Sequence, residues 1–293
     1  MITVFGSANM DLVAYVPKAP KPGETVTGRA FRAIPGGKGA NQAIAAARAG
    51  AEVAFVGAVG DDAFGPGLRA ALREAGVATD LLRVSPGPSG IAHIVVEDSG
   101  SNTIVVVPGA NGAVTGLEPG DAEVIARSDA LLLQLELPMG AVVAAAQGGR
   151  AGGVPVVLTP APAVPLPDAL LAAVDLIIPN EHEAAALTGG AGPHEAVDAL
   201  LTRVPEVCVT LGSQGVLYGS RGGLRLHVPA PQVRAVDTTA AGDTFAGALA
   251  VARAEGRGPQ EALRFATAAA ALSVQREGAS TSMPARAEID ALL

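Results

Sequence analysis

A single carboxylate, Asp243, follows three of the smallest side chains in the stretch "AVDTTAAGDTFAGALA", residues 235–250. The alanine-rich residues after it predict a helix, and Ala240, Ala241 and Gly242 would leave the N–H groups at its start accessible. The helix dipole adds about half a positive charge there, which stabilises an anion whose charge grows during a reaction. A carboxylate beside such a site can take a proton from a hydroxyl group. For phosphoryl transfer a protein needs little beyond such positioning and charge neutralisation. A plain N-cap would explain Asp243 but not the small residues before it.

A glycine-rich segment, "PGGKGANQAIAAARAG", spans residues 35–50 and carries Lys38 in a chain with only two other lysines. Paired glycines allow close backbone approach and positive φ. The helix expected from about Ala40 would direct its free N–H groups toward a ligand. A flexible turn with a solvated lysine is the alternative. The segment is not a P-loop, which needs a glycine at Arg32 and a hydroxyl at Gly39, and no dinucleotide-binding G-x-G-x-x-G motif follows the first strand.

Apolar runs of strand length, such as "ITVFGS" and "ALLLQLE", alternate with alanine-rich helical segments. Continuous apolar strands between helices predict an α/β fold, with a central mostly parallel sheet and helices on both faces. We expect a single domain over residues 1–293. Residues 12–35 and 89–108 are typical of short alternating β-ribbons, which form either edge hairpins or together a small β-sheet lid. The pattern leaves both alternatives open.

Polar residues gather at the ends of the predicted strands. In open α/β sheets, ligands bind beyond the carboxyl ends of the strands, so these residues predict a site at that edge. The strand-end residues are Asn9, Asp11, Glu136, Asn180, Glu183, Thr210, Gly212 and the loop 237–243.

Composition excludes several functions. The net charge of −8 argues against nucleic-acid binding, which relies on clustered Lys and Arg. No apolar run reaches the roughly 18 residues of a membrane span, and the first residues lack the features of a secretion signal. We therefore expect a cytoplasmic protein without a membrane partner. Cys208, the one cysteine, predicts a buried, inert thiol, and the four histidines show no metal-ligand spacing.

Together these segments resemble the ribokinase-like sugar kinases, also called the PfkB family. The resemblance covers nearly the whole chain and is greatest to the ribokinase branch, rather than to fructokinases or nucleoside kinases. It implies ATP-dependent phosphorylation of D-ribose at O5, with Mg²⁺ and K⁺, and a homodimer formed through the lid. The segments that carry it are "GSANMD", "GGKGANQA", "LLLQLELP", "TPAPAVPLPDALLAAVDLIIPNEHEA", "VTLGSQGV" and "AVDTTAAGDTFAGALA".

The resemblance also implies roles for individual residues. Asp243 would be the catalytic base, with Ala240, Ala241 and Gly242 as the anion hole. The sugar would be bound by Asn9, Asp11, Gly37, Lys38, Gly39, Ala40, Asn41 and Glu136. Asn180 and Glu183, the N-x-x-E element, would organise Mg²⁺ and the phosphates. The nucleotide would be bound by Asn180, Glu183, Thr210, Leu211, Gly212, Ser213, Gln214, Gly215, Gly242 and Thr267. Potassium would be held, partly through carbonyl oxygens, by Asp237, Thr239, Ser273, Arg276, Gly278 and Ser282.

Three other functions are compared with this one. A sister kinase for deoxyribose, another sugar or a nucleoside would keep the mechanism and change the pocket. The polar set around Asn9 and Glu136 suits a free sugar, whereas a purine nucleoside needs an aromatic wall and aromatic residues are only 3%. A non-catalytic sugar-binding protein would need no base at an anion hole. An NAD-dependent oxidoreductase lacks its glycine motif.

Overall fold

Strands and helices alternate along most of the chain in the computed structural model, which describes residues 1–293. The strands are β1 Ile2–Phe5, β2 Asn9–Val16, β3 Ala30–Gly36, β4 Val53–Gly60, β5 Val77–Ala78, β6 Leu82–Ser85, β7 Gly90–Glu97, β8 Asn102–Val107, β9 Ala130–Leu133, β10 Val156–Leu158, β11 Leu176–Ile177, β12 Glu206–Thr210, β13 Val216–Ser220 and β14 Arg225–Val228. The helices are α1 Lys38–Arg48, α2 Gly65–Glu74, α3 Asp121–Ala126, α4 Met139–Ala151, α5 Asp168–Leu171, α6 Glu181–Thr188, α7 Pro193–Leu201, α8 Ala241–Ala254, α9 Pro259–Ser273 and α10 Arg286–Leu292.

Ten strands form the central sheet, in the order β14-β13-β12-β11-β10-β9-β1-β4-β5, with β6 also paired to β4. Every pairing from β12 to β5 and β6 is parallel. The hairpin of β13 and β14 adds two antiparallel strands at one edge. The predicted mostly parallel sheet is confirmed.

Each face of the central sheet is covered by its own apolar core. In β9, Ala130 and Leu132 contribute to the core shared with α1, α8 and α9, while Leu131 and Leu133 contribute to the core shared with α4 and α7. Because both faces are buried, the strands are apolar at successive positions rather than at alternate ones. None of the helices combines the length and apolar character needed to cross a membrane.

A second, smaller sheet has the order β3-β2-β7-β8 and shares no strand with the central one. Its middle pair, β2 and β7, is parallel, with Met10 opposite Ile91. The two β-ribbon regions therefore form one sheet and not two edge hairpins of the main sheet. The β structure of the first region lies at 9–16 and 30–36, and residues 17–29 contain no strand. Every residue of β8 is exposed.

Candidate active site

The turn before α1 is pressed against the connection between β1 and β2. Gly37 has φ +92°, and a Cβ atom at this residue would lie 2.7 Å from the Asn9 nitrogen. A Cβ atom at Gly39 would lie 2.5 Å from the Ser7 nitrogen. Both distances are shorter than any real contact allows, so the glycines are required because two backbone segments of this chain meet here. That contact brings Lys38 beside Asn9.

The N–H groups at the start of α1 are already bonded within the protein. Lys38 N donates to Glu136 Oε2 at 3.0 Å, and Gly39 N donates to the Ser7 hydroxyl at 3.3 Å. Ala40 N donates to the Ser7 carbonyl oxygen at 2.8 Å. The expectation that this helix directs free N–H groups to a ligand is therefore wrong, and the helix begins at Lys38 rather than near Ala40. Of the residues of α1, only Lys38 lines the cavity described below.

The start of α8 is arranged differently. Its N-cap, Ala240, has φ 58° and is the one residue other than glycine with positive φ. Ala241 N donates to the Thr238 carbonyl oxygen at 3.2 Å, whereas the N–H groups of Gly242 and Asp243 have no acceptor in the protein. A Cβ atom at Gly242 would meet nothing within 4 Å. Asp243 is the third residue of the helix, so the N-cap alternative for it is wrong.

Two side-chain amides from α1 hold the Asp243 carboxylate. Asn41 Nδ2 donates to Oδ2 at 3.2 Å, and Gln42 Nε2 donates to Oδ1 at 3.1 Å. Burial raises the pKa of Asp243, although Lys38 and the two amides act in the opposite direction. A fixed carboxylate with a raised pKa suits a general base that works near neutral pH.

Carboxylates surround the ammonium group of Lys38. Burial, Glu136 and Asp243 together raise the pKa of Asp11 to about 7, against the lowering effect of Lys38. For Lys38, burial lowers the pKa, but Asp243, Glu136, Glu183 and Asp11 outweigh it and the pKa is raised. The excess of acceptors over cations favours a ligand that brings hydroxyl donors.

Further polar groups connect to this cluster, and some of them were not predicted from the sequence. Glu136 Oε2 accepts from the Ser7 hydroxyl at 2.5 Å and from Asn9 Nδ2 at 3.5 Å. Asn9 Oδ1 accepts from Asn111 Nδ2 at 2.7 Å. Asn41 Oδ1 is buried and has no partner, so it can accept from a ligand hydroxyl. Asn111 could have been suggested only by its place just after a strand, in "VPGANG".

A cavity of about 170 Å³ lies in front of α8. It brings residues from five segments of the sequence to one place. Of the predicted strand-end residues, Asn180, Glu183, Thr210 and part of the loop 237–243 line it, whereas Asn9, Asp11, Glu136 and Gly212 do not. Its lining comprises Lys38, Thr159, Ala161, Ile178, Asn180, Glu183, Thr210, Thr238, Ala240, Ala241, Gly242 and Asp243. Asp243, Lys38 and the N-x-x-E element are therefore neighbours.

The N-x-x-E element forms a capping box at the start of α6. Asn180 Oδ1 accepts from Glu183 N at 2.8 Å, and Glu183 Oε2 accepts from Asn180 N at 2.9 Å. Burial raises the pKa of Glu183, while the Asn180 N–H and Lys38 lower it. An isolated parallel bridge joins Asn180 to Thr210, which places the end of β12 beside this cap.

The remaining residues of the expected nucleotide site lie away from this cavity. Leu211 N donates to the Gly215 carbonyl oxygen at 2.8 Å, closing a tight turn over residues 212–214. Thr267 is buried within α9, where its hydroxyl donates to the Leu263 carbonyl oxygen at 2.6 Å. Of residues 210–215 and Thr267, Thr210 alone lines the cavity.

Asp237 links the two segments expected to bind a monovalent cation. Its carboxylate accepts from Thr239 N and from Gly278 N, each at 2.9 Å. Arg276 N donates to the Ser273 carbonyl oxygen at 3.1 Å, and the Arg276 side chain pairs with Glu288. Ser282 stands in the short turn that follows. No group of three or more His, Cys, Asp or Glu side chains is placed to hold a metal ion.

Comparison with known proteins identifies the family. The model of the pfkB family carbohydrate kinases matches residues 1–286. The chain belongs to this family. A ribokinase from Haemophilus influenzae is 45% identical over 295 residues, which are 98% of this chain and 96% of that protein. A deoxyribokinase from Salmonella typhi is 37% identical over 298 residues, covering 97% and 95% of the two chains.

A solved structure supports the same assignment. The Arabidopsis thaliana ribokinase, complexed with ribose and ATP, superposes with a TM-score of 0.93 at 37% identity. The match covers 99% of this chain and 97% of that one. The ribokinase-like fold, including the second small sheet, and the membership of the carbohydrate kinase family are confirmed.

Proposed function

We propose that this carbohydrate kinase transfers the γ-phosphoryl group of ATP to the O5 hydroxyl of D-ribose, giving D-ribose 5-phosphate and ADP. The observation that carries the proposal is the buried Asp243 carboxylate, fixed by two amides at a helix start whose next donors are free. The similarity to ribokinases, one of them solved with ribose and ATP, supports this substrate and this donor.

The reaction can be written with these groups. Asp243 accepts the proton of the O5 hydroxyl, and the oxygen forms a bond to the γ-phosphorus. The bond between that phosphorus and the β–γ bridging oxygen breaks, and its electron pair leaves with ADP. The free N–H groups of Gly242 and Asp243 and the Lys38 ammonium bind the negative charge of the transferred group. A base without these donors would leave that charge uncompensated.

The proposed sugar site is the polar cluster that surrounds Lys38 and Asp243. Asn9, Asp11, Asn41 and Glu136 offer oxygen acceptors and amide donors to the hydroxyls of ribose. Gly37 and Gly39 act through the backbone, because their small size allows the close approach that places Lys38 and Asn41. Ala40 is proposed to act through its backbone beside them. The nucleotide would lie toward Asn180, Gly242, Thr210 and the turn that runs to Gly215. Thr267 is proposed behind the adenine.

Both cations fit the donors that are present. Glu183 uses one carboxylate oxygen for its cap, and the second oxygen has no partner in the protein. Mg²⁺ bound there through water or phosphate oxygens would neutralise charge on the triphosphate. K⁺ would be held by Asp237, Thr239, Ser273, Arg276, Gly278 and Ser282, several of them through backbone carbonyl oxygens, which are donors that K⁺ prefers.

A homodimer formed through the small sheet is also part of the proposal. β8 is an edge strand that exposes Ile104, Val105, Val106 and Val107, and Phe31 of β3 is 65% exposed. Exposed apolar edge strands of this kind favour pairing with a second copy. Light scattering coupled to gel filtration should give twice the monomer mass. The cytoplasmic location stays a prediction.

The second candidate is a 2-deoxyribose kinase, favoured by the similarity to the Salmonella typhi enzyme. An ADP-release assay with Mg²⁺ and K⁺ should compare D-ribose, 2-deoxyribose, fructose and adenosine. We expect strong turnover on ribose that decreases without K⁺. A higher kcat/KM for deoxyribose than for ribose would mean that the same mechanism acts on deoxyribose as the substrate. Absence of turnover on all four would contradict the proposed function.

A further inference from the structure

A glutamine beside the proposed base has contacts that the reaction above does not use. Gln42 is completely buried on α1. Its Nε2 atom donates to Asp243 Oδ1 at 3.1 Å and to the Thr159 hydroxyl at 3.2 Å, so both amide hydrogens have acceptors. A Cβ atom at Gly247 would lie 2.7 Å from the Gln42 carbonyl oxygen. The glycine therefore allows α1 and α8 to pack closely enough for Gln42 to reach Asp243.

A second glutamine determines which way the Gln42 amide faces. Gln134 follows β9, is 1% exposed, and donates from Nε2 to Gln42 Oε1 at 2.7 Å. If the Gln42 amide were reversed, two NH₂ groups would face each other and an oxygen would face the Asp243 carboxylate. Both contacts are repulsive, so Gln134 holds the Gln42 donors on the side of Asp243.

This arrangement includes one unpaired polar atom. Gln134 Oε1 is buried and has no partner, which costs about 1–3 kcal/mol for a typical group of this kind. A methionine or leucine at position 134 would fill the space without that cost. The cost is explained if the Gln134 amide is needed to orient Gln42.

We propose that Gln42 is a positioning residue for phosphoryl transfer, which holds the Asp243 carboxylate in its proton-accepting orientation and is itself oriented by Gln134. The inference rests on the proposed function of Asp243. The relay contains no charged group, so it fixes the carboxylate without neutralising it. An arginine at position 42 would also reach Asp243, but it would lower the basicity of the carboxylate.

The contacts of Asp243 determine how its pKa, and with it the pH dependence of kcat, should change when Gln42 is replaced. The charged groups around Asp243 are Lys38 from α1, Asp11 from β2, Glu136 after β9 and Glu183 from α6. The Gln42 donor lowers the pKa of Asp243 within this field. Its removal should raise that pKa further, and the acid limb of the kcat profile should then move to higher pH.

The test compares Gln42→Met, Gln134→Met and the control Gln147→Met, which replaces an exposed glutamine of α4. For Gln42→Met we expect kcat to fall about 10- to 100-fold, as small misplacements of reacting groups do, with the ribose KM nearly unchanged. Gln134→Met should show a smaller loss and an acid limb shifted the same way. Gln147→Met should match the wild type.

A carbon-13 NMR titration of the aspartate carboxyl groups, with Asp243→Asn for assignment, measures the same property without catalysis. The Asp243 signal should titrate at higher pH in both relay variants. A raised ribose KM with unchanged kcat, or an unmoved titration and acid limb, would overturn the proposal. If Gln42→Met does not fold, Gln134→Met decides. If the wild type phosphorylates no sugar, the proposed function fails, while the titration still tests the positioning.

Discussion

Helices α6 and α8 both begin at the same cavity, but they differ in their first backbone N–H groups. The start of α6 is capped by side chains, and the start of α8 is not. At α6, Asn180 and Glu183 cap each other, with hydrogen bonds of 2.8 and 2.9 Å. At α8, the N-cap is an alanine with no side-chain acceptor, and the N–H groups of Gly242 and Asp243 are free. A capping side chain stabilises a helix by about 1 kcal/mol. The start of α8 lacks this stabilisation, and its free N–H groups are available to an anion.

The start of α1 shows that an uncapped helix is not enough to make an anion site. Gly37 provides no capping side chain, yet Ser7 and Glu136 occupy the first three N–H groups. The difference between α1 and α8 lies in the tertiary contacts. At Gly242 there is open space where a side chain would stand, and at Gly37 there is another segment of the chain.

Replacing Asp243 by Asn gives the largest expected effect. The amide cannot accept the proton, so kcat should fall roughly 10²- to 10⁴-fold, while ribose binding measured by calorimetry is largely kept. Because burial raises the pKa of Asp243, wild-type kcat should decline with falling pH already above the ordinary value of 3.8. The residual kcat of Asp243→Asn should not show this decline at low pH. Near-normal turnover would show that α8 does not supply the base.

The variant Gly242→Ala tests the open space at α8. Its new methyl group meets no protein atom within 4 Å, so thermal stability should be kept or slightly increased. The methyl group would take up part of the open space beside the free N–H groups of Gly242 and Asp243, where the transferred phosphoryl group is proposed to bind. Displacement of that group should lower kcat about 100-fold.

Gly247→Ala is the contrasting variant on the same helix, and it is compared by stability alone, because the close packing at Gly247 also places Gln42 beside Asp243. A Cβ atom there would lie 2.7 Å from the Gln42 carbonyl oxygen and 2.8 Å from Ala45 Cβ, so thermal unfolding should shift to lower temperature. If Gly242→Ala also lost stability and kept its kcat, the open space at Gly242 would have no catalytic role.

The variant Glu183→Gln separates the cap of α6 from a role in catalysis. Glutamine at this position still accepts from the Asn180 N–H, so the melting temperature should change little. Loss of the charge should reduce turnover on the order of 10-fold and raise the Mg²⁺ concentration needed. Unchanged turnover and unchanged Mg²⁺ dependence would mean that the α6 start is only a cap.

The fold could be predicted largely because of burial. Strands covered on both faces, such as β9, are continuously apolar, and that pattern is visible in sequence. The hairpin of β13 and β14 was not predicted, since its short strands are interrupted by polar residues at the sheet edge. The pairing of β2 with β7 could not be predicted either, because Met10 and Ile91 are far apart in sequence and no local signal encodes their register.

Within the site, Asp243, Lys38 and Glu136 were predicted from their charge or from their positions at the ends of predicted strands. Gln42, Gln134 and Asn111 were missed because an uncharged amide in an alanine-rich helix or after a strand resembles any surface residue. Their role depends on contacts between segments distant in the sequence. For the same reason the N–H groups at the start of α1 were predicted to be free, although Ser7 and Glu136 accept their hydrogen bonds.

The smallest expected effect concerns the backbone of Ala240. Its φ of 58° is a left-handed conformation that costs an alanine about 1 kcal/mol, but not a glycine. Ala241 has ordinary helical geometry, where glycine destabilises by roughly 0.5–1 kcal/mol. In guanidinium unfolding, Ala240→Gly should therefore be more stable than Ala241→Gly by about 1.5–2 kcal/mol. Equal losses would mean that the strained start of α8 is not maintained in solution, and its open donors would then need a bound anion to form.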